Sequence, residues 1–146
     1  MVASQVEIAS SFRKITILLV DDQEDYRYLL RDEIEELLPD EIREDEENIS
    51  IYDVGSGMEA LKFVEDNPVD IIVLDYEMPD INGADVLVQL KQLGVTKTAI
   101  GLTRLSEPVL SEMEASCALK AFCKDNKQQF YAFLMNRINE LCADVI

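Results

Sequence analysis

The chain has 146 residues, 48% of them apolar, with 30 acidic against 13 basic side chains and a formal charge of −17. That length and apolar share suit one globular domain with a real core, and the charge argues against a nucleic-acid partner, whose phosphates demand a concentrated positive face. Histidine is absent, which removes Ser-His-Asp and Cys-His catalysis, histidine-ligated zinc and any phosphohistidine role.

Residues 1–13 lack the apolar stretch of a secretory leader and are read as an N-terminal tail, with the domain spanning 14–146. The first β-branched run, Ile15–Val20, ends at Asp21-Asp22. Tyr26, Leu30, Ile34 and Leu37 then recur at helical spacing until Pro39 breaks the pattern. The charged stretch Asp40–Glu47 is read as a solvated insertion or a helix extension. A second run, Ile49–Tyr52, precedes a short stripe of Ala60, Leu61 and Val64 closed by Asn67-Pro68. Val69–Leu74 follows and ends at Asp75; Val86, Leu87 and Leu90 mark a third helix stopped by Gly94. Ala99–Leu102 ends at Thr103, and Glu107 to Ala115, with Pro108 in its first turn, is a weaker fourth helix. Leu119–Cys123 ends at Lys124, and Phe130, Phe133, Leu134, Arg137, Ile138 and Leu141 define a fifth helix.

Near-continuous apolar runs imply strands covered on both faces. Five strands alternating with five helices predict a doubly wound α/β fold: a five-stranded parallel sheet in the commoner, flavodoxin-like order 2-1-3-4-5. Cys117, Cys123 and Cys142 show no metal-ligand spacing, and their odd number suits free thiols; Cys123 and Cys142 are expected as small core residues. No apolar run is long enough to span a membrane, so no membrane partner and a cytoplasmic location are expected.

In a parallel sheet the strand C-terminal ends share one edge. Asp21 and Asp22, Asp75, Thr103 and Lys124 all follow strands, so this topology brings them to one crevice. Carboxylates that close together repel, and at least one would protonate unless a cation stood between them. Mg²⁺, which takes a few carboxylates plus water and phosphate oxygens, answers that need. One carboxylate can then attack phosphorus, with a lysine and a hydroxyl offsetting charge on the phosphoryl oxygens.

These residues resemble the receiver domain of two-component response regulators, from roughly Ile15 to the C-terminus. The pair Asp21-Asp22, the segment VLDYEMPDINGADVL around Asp75, Thr103 and Lys124 occur in the family's order. DxxMPxxxG, from Asp75 to Gly83, is the most specific element. The resemblance implies that Asp75 is the phosphoacceptor, that Asp22 binds Mg²⁺ directly and Asp21 more often through water, and that the main-chain carbonyl of Glu77 is a further ligand. It implies that Thr103 contacts the phosphoryl group and that Lys124 pairs with Asp75 and its phosphate. The implied donor is a sensor histidine kinase, a histidine phosphotransfer protein or a small phosphodonor. The implied readout is a downstream output protein on a surface within about Glu107 to Ile146. No output domain is recognisable after the fifth helix. The chain is then a stoichiometric phosphoacceptor rather than a turnover enzyme, with slow autodephosphorylation at most.

Three departures stand out. Lys124 is followed by Asp125 where the family usually has proline, often after a cis bond; without proline a cis bond costs about 3 kcal/mol, so this loop is expected to be trans or strained. Ala121 stands three positions before Lys124 where an aromatic switch residue is usual, and Phe122 points to the opposite face of the strand. Arg104 follows Thr103 where a small residue is common. A bulky cation at the pocket mouth would shield an aspartyl phosphate from water or screen the acidic cluster, and the expectation is that Arg104→Ala alters the decay rate of the phosphorylated protein more than its melting temperature. The alternative these departures feed is a pseudo-receiver acting as a phosphorylation-independent protein-interaction module. A haloacid-dehalogenase-like phosphohydrolase would need a second Asp two positions after the nucleophile, and that residue is Glu77.

Overall fold

Each β-branched run has two apolar faces, and each needs its own cover. In the computed structural model, which describes residues 14–40, 42 and 48–143, both faces of a five-stranded parallel sheet are packed by helices. In chain order the elements are β1 (Ile15–Val20), α1 (Glu24–Leu37), β2 (Ile49–Val54), α2 (Gly57–Asp66), β3 (Ile71–Leu74), α3 (Gly83–Gln92), β4 (Ala99–Thr103), α4 (Val109–Ala115), β5 (Lys120–Cys123), a 3₁₀ turn (Lys124–Asn126) and α5 (Lys127–Ala143). The strand order is β2-β1-β3-β4-β5, the doubly wound arrangement expected.

Alternation along the strands divides the core. Ile17, Leu19, Ile71, Val73, Ile100 and Leu102 pack with Leu30 and Ile34 of α1 and Phe130, Leu134 and Ile138 of α5. Leu18, Val20, Ile72 and Leu74 face the other way, against Leu61 of α2, Val86 and Leu90 of α3 and Met113 of α4. Each such side chain contributes about 1.5–3 kcal/mol on burial, so the inner strands β1, β3 and β4 are the rigid frame of the site edge.

Element ends differ from expectation for identifiable reasons. β3 starts at Ile71, not Val69, yet pairing with β1 extends upstream: the Asp70 amide donates to the Thr16 carbonyl (2.9 Å), and Asp70 Oδ2 accepts from the Thr16 amide (2.9 Å). β2 runs on to Val54 because Asp53, a poor strand residue by itself, is held by Arg27 Nε and Arg31 Nη2, each at 2.6 Å. α4 begins at Val109; Pro108 occupies its N-cap rather than its first turn. Side chains cap α2 and α3, with Ser56 Oγ accepting from the Glu59 amide and Asn82 Oδ1 from the Asp85 amide. Gly94, at φ +83°, supplies the left-handed residue that ends α3.

The tail 1–13 and residues 144–146 lie outside the described residues. Of Asp40–Glu47 only Asp40 and Ile42 are described, and Ile42 is buried with the α1–α5 side of the core. Cys123 is buried, Cys142 half-buried and Cys117 exposed. Among the described residues no helix is long and apolar enough to cross a membrane.

Candidate functional site

Five side chains meet where β1, β3, β4 and β5 end. Asp21, Asp22 and Asp75 each present a carboxylate oxygen, and these oxygens lie within 4.8 Å of one another. Asp21 and Asp75 are buried, at 4% and 6% exposure, while Asp22 is exposed. Lys124 Nζ enters between the two buried acids, donating to Asp21 Oδ2 at 2.6 Å and standing 3.7 Å from Asp75 Oδ2. The lysine therefore sits nearer Asp21 than the Asp75 partner the sequence suggested. Thr103 is fully buried at the end of β4.

Local structure sets these positions. Asp21 Oδ1 accepts from the Gln23 amide at 2.9 Å, closing a tight turn into α1. Gln23, not Asp22 or Asp25, is the N-cap of α1, and its side chain makes no capping bond. The pair after β1 is thus not there to cap the helix. Asp75 Oδ1 accepts from the Tyr76 amide at 2.7 Å.

Burial pushes the Asp75 carboxyl up to about 6; Lys124 pulls against this, Asp21 adds to it, and hydrogen bonds from Thr103 and the Tyr76 amide pull down. One lysine does not satisfy the cluster. A second positive charge beside these oxygens would hold all three acids ionised. Three hard carboxylate oxygens in this spacing fit Mg²⁺. Glu77, the other expected contributor, lies two residues past Asp75 with its side chain exposed.

The loop after Asp75 is closed tightly. The Gly83 amide donates to the Tyr76 carbonyl at 2.8 Å, and a Cβ at Gly83 would stand 2.5 Å from the Asp75 carbonyl oxygen, so only glycine fits there. Asp80, in the same loop, ties it to α2 by accepting from the Gly57 and Met58 amides at 3.2 and 2.8 Å. The buried Met113 of α4 fills the space beneath: a Cβ at Gly83 or Gly101 would meet its methyl at 3.1 or 3.0 Å, and Gly101 would also meet the Ala121 Cβ. Ala121 faces this thioether, while Phe122 lies across the sheet with Phe130 and Phe133. The space beside Ala121 thus holds a methionine rather than an aromatic ring. Among the described residues the only cis peptide is Glu107–Pro108, so Lys124–Asp125 is trans, and Asp125 and Arg104 are exposed.

Sequence reading missed three further contributors. Arg27 donates from Nη1 to the Asp21 carbonyl at 2.7 Å while its Nε holds Asp53, bracing the backbone under the acid pair. Asp80, inside the DxxMPxxxG stretch, was given no role of its own. Tyr26 was read as part of an apolar stripe, yet its ring centroid lies 3.8 Å from Lys124 Nζ. Arg27 and Asp53, 26 positions apart, give no local signal.

Comparison with known proteins follows the same lines. The family model for the response regulator receiver domain matches residues 17–128. The chain is 34% identical over 79 residues, 54% of its length, to the cyclic di-GMP phosphodiesterase response regulator RpfG of Xanthomonas campestris pv. campestris, and covers 19% of that protein. It is 27% identical to sporulation initiation phosphotransferase F of Bacillus subtilis, with 74% of this chain and 80% of that protein aligned. Among solved structures, the Francisella response regulator 1452 receiver domain superposes with a TM-score of 0.71 at 23% identity, covering 91% of this chain and all of the other, a likeness of fold.

Proposed function

The chain belongs to the response regulator receiver domain family, and from that premise we propose that it is a phosphoacceptor switch in which Asp75 takes a phosphoryl group and the change is read at a protein surface. The observation that carries this reading is the meeting of Asp21, Asp22 and Asp75 within 4.8 Å, with Lys124 between the two buried acids.

Each residue has a role that follows from its position. Asp75 is the nucleophile: one carboxylate oxygen forms an O–P bond as the donor's N–P bond breaks, and the electron pair returns to the donor imidazole. The donor is a phosphohistidine of a sensor kinase or phosphotransfer protein, or a small phosphodonor; the 146 residues themselves hold no histidine to carry the group. Thr103 and Lys124 hold the transferred oxygens by a hydroxyl and an ammonium. Asp21, Asp22 and Asp75, with the Glu77 main-chain carbonyl, would hold Mg²⁺. When bound, the ion offsets charge among the carboxylates and on the phosphoryl oxygens. Arg27 and the Gln23 amide fix Asp21, and burial excludes water from one side of the phosphoryl group.

Intact mass after incubation with acetyl phosphate and Mg²⁺ tests this. The wild type should gain one phosphoryl group, Asp75→Asn none, and chelation should abolish the gain. A wild type that stays unmodified, or an adduct that persists in Asp75→Asn, sinks the reading; the former selects a phosphorylation-independent interaction module.

A further inference from the structure

The phosphoacceptor roles leave one neighbour of Lys124 unexplained. Tyr26 lies in the first turn of α1 with its ring centroid 3.8 Å from Lys124 Nζ, close enough for the ring's negative face to attract the ammonium. Its hydroxyl is buried and finds no hydrogen-bond partner among the described residues. A buried phenol usually places its hydroxyl against a partner. Here the face of the ring makes the contact and the hydroxyl makes none.

Lys124 needs such a contact. An ammonium is a compact charge on a flexible four-carbon stem, and its position comes from its surroundings. The stem leaves the chain at a trans peptide that opens a 3₁₀ turn, followed by exposed Asp125 and Asn126. Nothing there points the side chain inward. Asp21 at 2.6 Å, Asp75 at 3.7 Å and the Tyr26 face at 3.8 Å do so. Glu33, the nearby acid of α1, is already held by Tyr131 (2.6 Å) and Lys127 (3.2 Å) of α5 and does not compete for the lysine.

Resting on the phosphoacceptor reading, we propose that Tyr26 is a positioning residue: its ring holds the Lys124 ammonium between Asp21 and Asp75, so that the cation meets the incoming phosphoryl oxygens. Attraction to a ring face tolerates small lateral shifts, so the ammonium can pass from Asp21 toward a phosphorylated Asp75 without leaving the ring.

Two variants separate this role from simple packing. Tyr26→Phe keeps the ring and drops the orphan hydroxyl; Tyr26→Leu keeps an apolar side chain and drops the ring face. Phosphoryl uptake from acetyl phosphate, followed against donor concentration, should stay near wild type in Tyr26→Phe. In Tyr26→Leu it should slow about tenfold, with the melting temperature little changed. An NMR measurement that needs no phosphorylation accompanies this. The Lys124 ε-methylene protons should be shifted upfield by the ring in wild type and Tyr26→Phe, and not in Tyr26→Leu. Unshifted protons in the wild type, wild-type uptake by Tyr26→Leu, or equal loss in both variants would each overturn the proposal. Shifted protons in a wild type that takes up no phosphoryl group would sink the phosphoacceptor reading while upholding the hold of the ring on the lysine.

Discussion

Asp75→Asn is expected to raise the melting temperature of the metal-free protein at neutral pH while abolishing phosphoryl uptake. The Asp75 carboxyl is pushed from its ordinary 3.8 up to about 6, chiefly by burial. Between those values the folded chain keeps a proton that the unfolded chain has released, so stability falls as pH rises through that window and stays lower above it. Two pH units correspond to about 3 kcal/mol. Asparagine, neutral throughout, escapes that loss. Its advantage should be near full above about pH 6 and should vanish below the ordinary carboxylate range. Mg²⁺ should stabilise the wild type more than the variant, because only the wild type presents three ionised ligands. Thermal melts across pH, with and without Mg²⁺, check this; a variant less stable than wild type at neutral pH without metal would refute it.

Lys124→Met should do the opposite. It removes the ammonium that stands 2.6 Å from Asp21 and 3.7 Å from Asp75, and leaves two buried carboxylates facing one another. Breaking a buried ion pair from one side costs about 3–5 kcal/mol. Lys124 is what pulls the Asp75 carboxyl back toward its ordinary value, so without it the penalty should be greatest at neutral pH and shrink below about pH 6, where Asp75 takes up a proton. Mg²⁺ should restore part of the loss. Phosphoryl uptake should fall by about two to three orders of magnitude, the usual effect of removing one donor to developing charge. Denaturation at two pH values and a time course of intact mass measure both effects. A stability loss equal at both pH values would count against the electrostatic account.

The frame of this fold was written in local pattern, and its connections were not. β1 is legible because six apolar or β-branched residues run without a break and both faces are covered. Asp21, Asp22, Asp75, Thr103 and Lys124 were found because each follows such a run, and topology carries them to one edge. Strand ends were misjudged where a distant side chain completes the pairing, as Asp70 does for Thr16 and as Arg27 and Arg31 do for Asp53. Tyr26 satisfied an apolar helical stripe in the sequence, and nothing local told that its ring would meet a lysine 98 positions away. Distance between partners, rather than ambiguity of residue type, separates what was legible from what was not.

Met113 makes one demand on the positions around it. Its thioether fills the volume left by Gly83, Gly101 and the small side chain of Ala121, so those four residues constitute one size-matched set. Among descendants of this sequence positions 101, 113 and 121 should drift in company: a ring at position 121 is admissible only where position 113 has shortened, Gly101 cannot enlarge before it does, and Gly83, closed off by the Asp75 carbonyl, stays fixed. Methionine also adapts its shape readily, which lends helix α4 a yielding wedge beneath the loop after Asp75 instead of a part with two fixed seats.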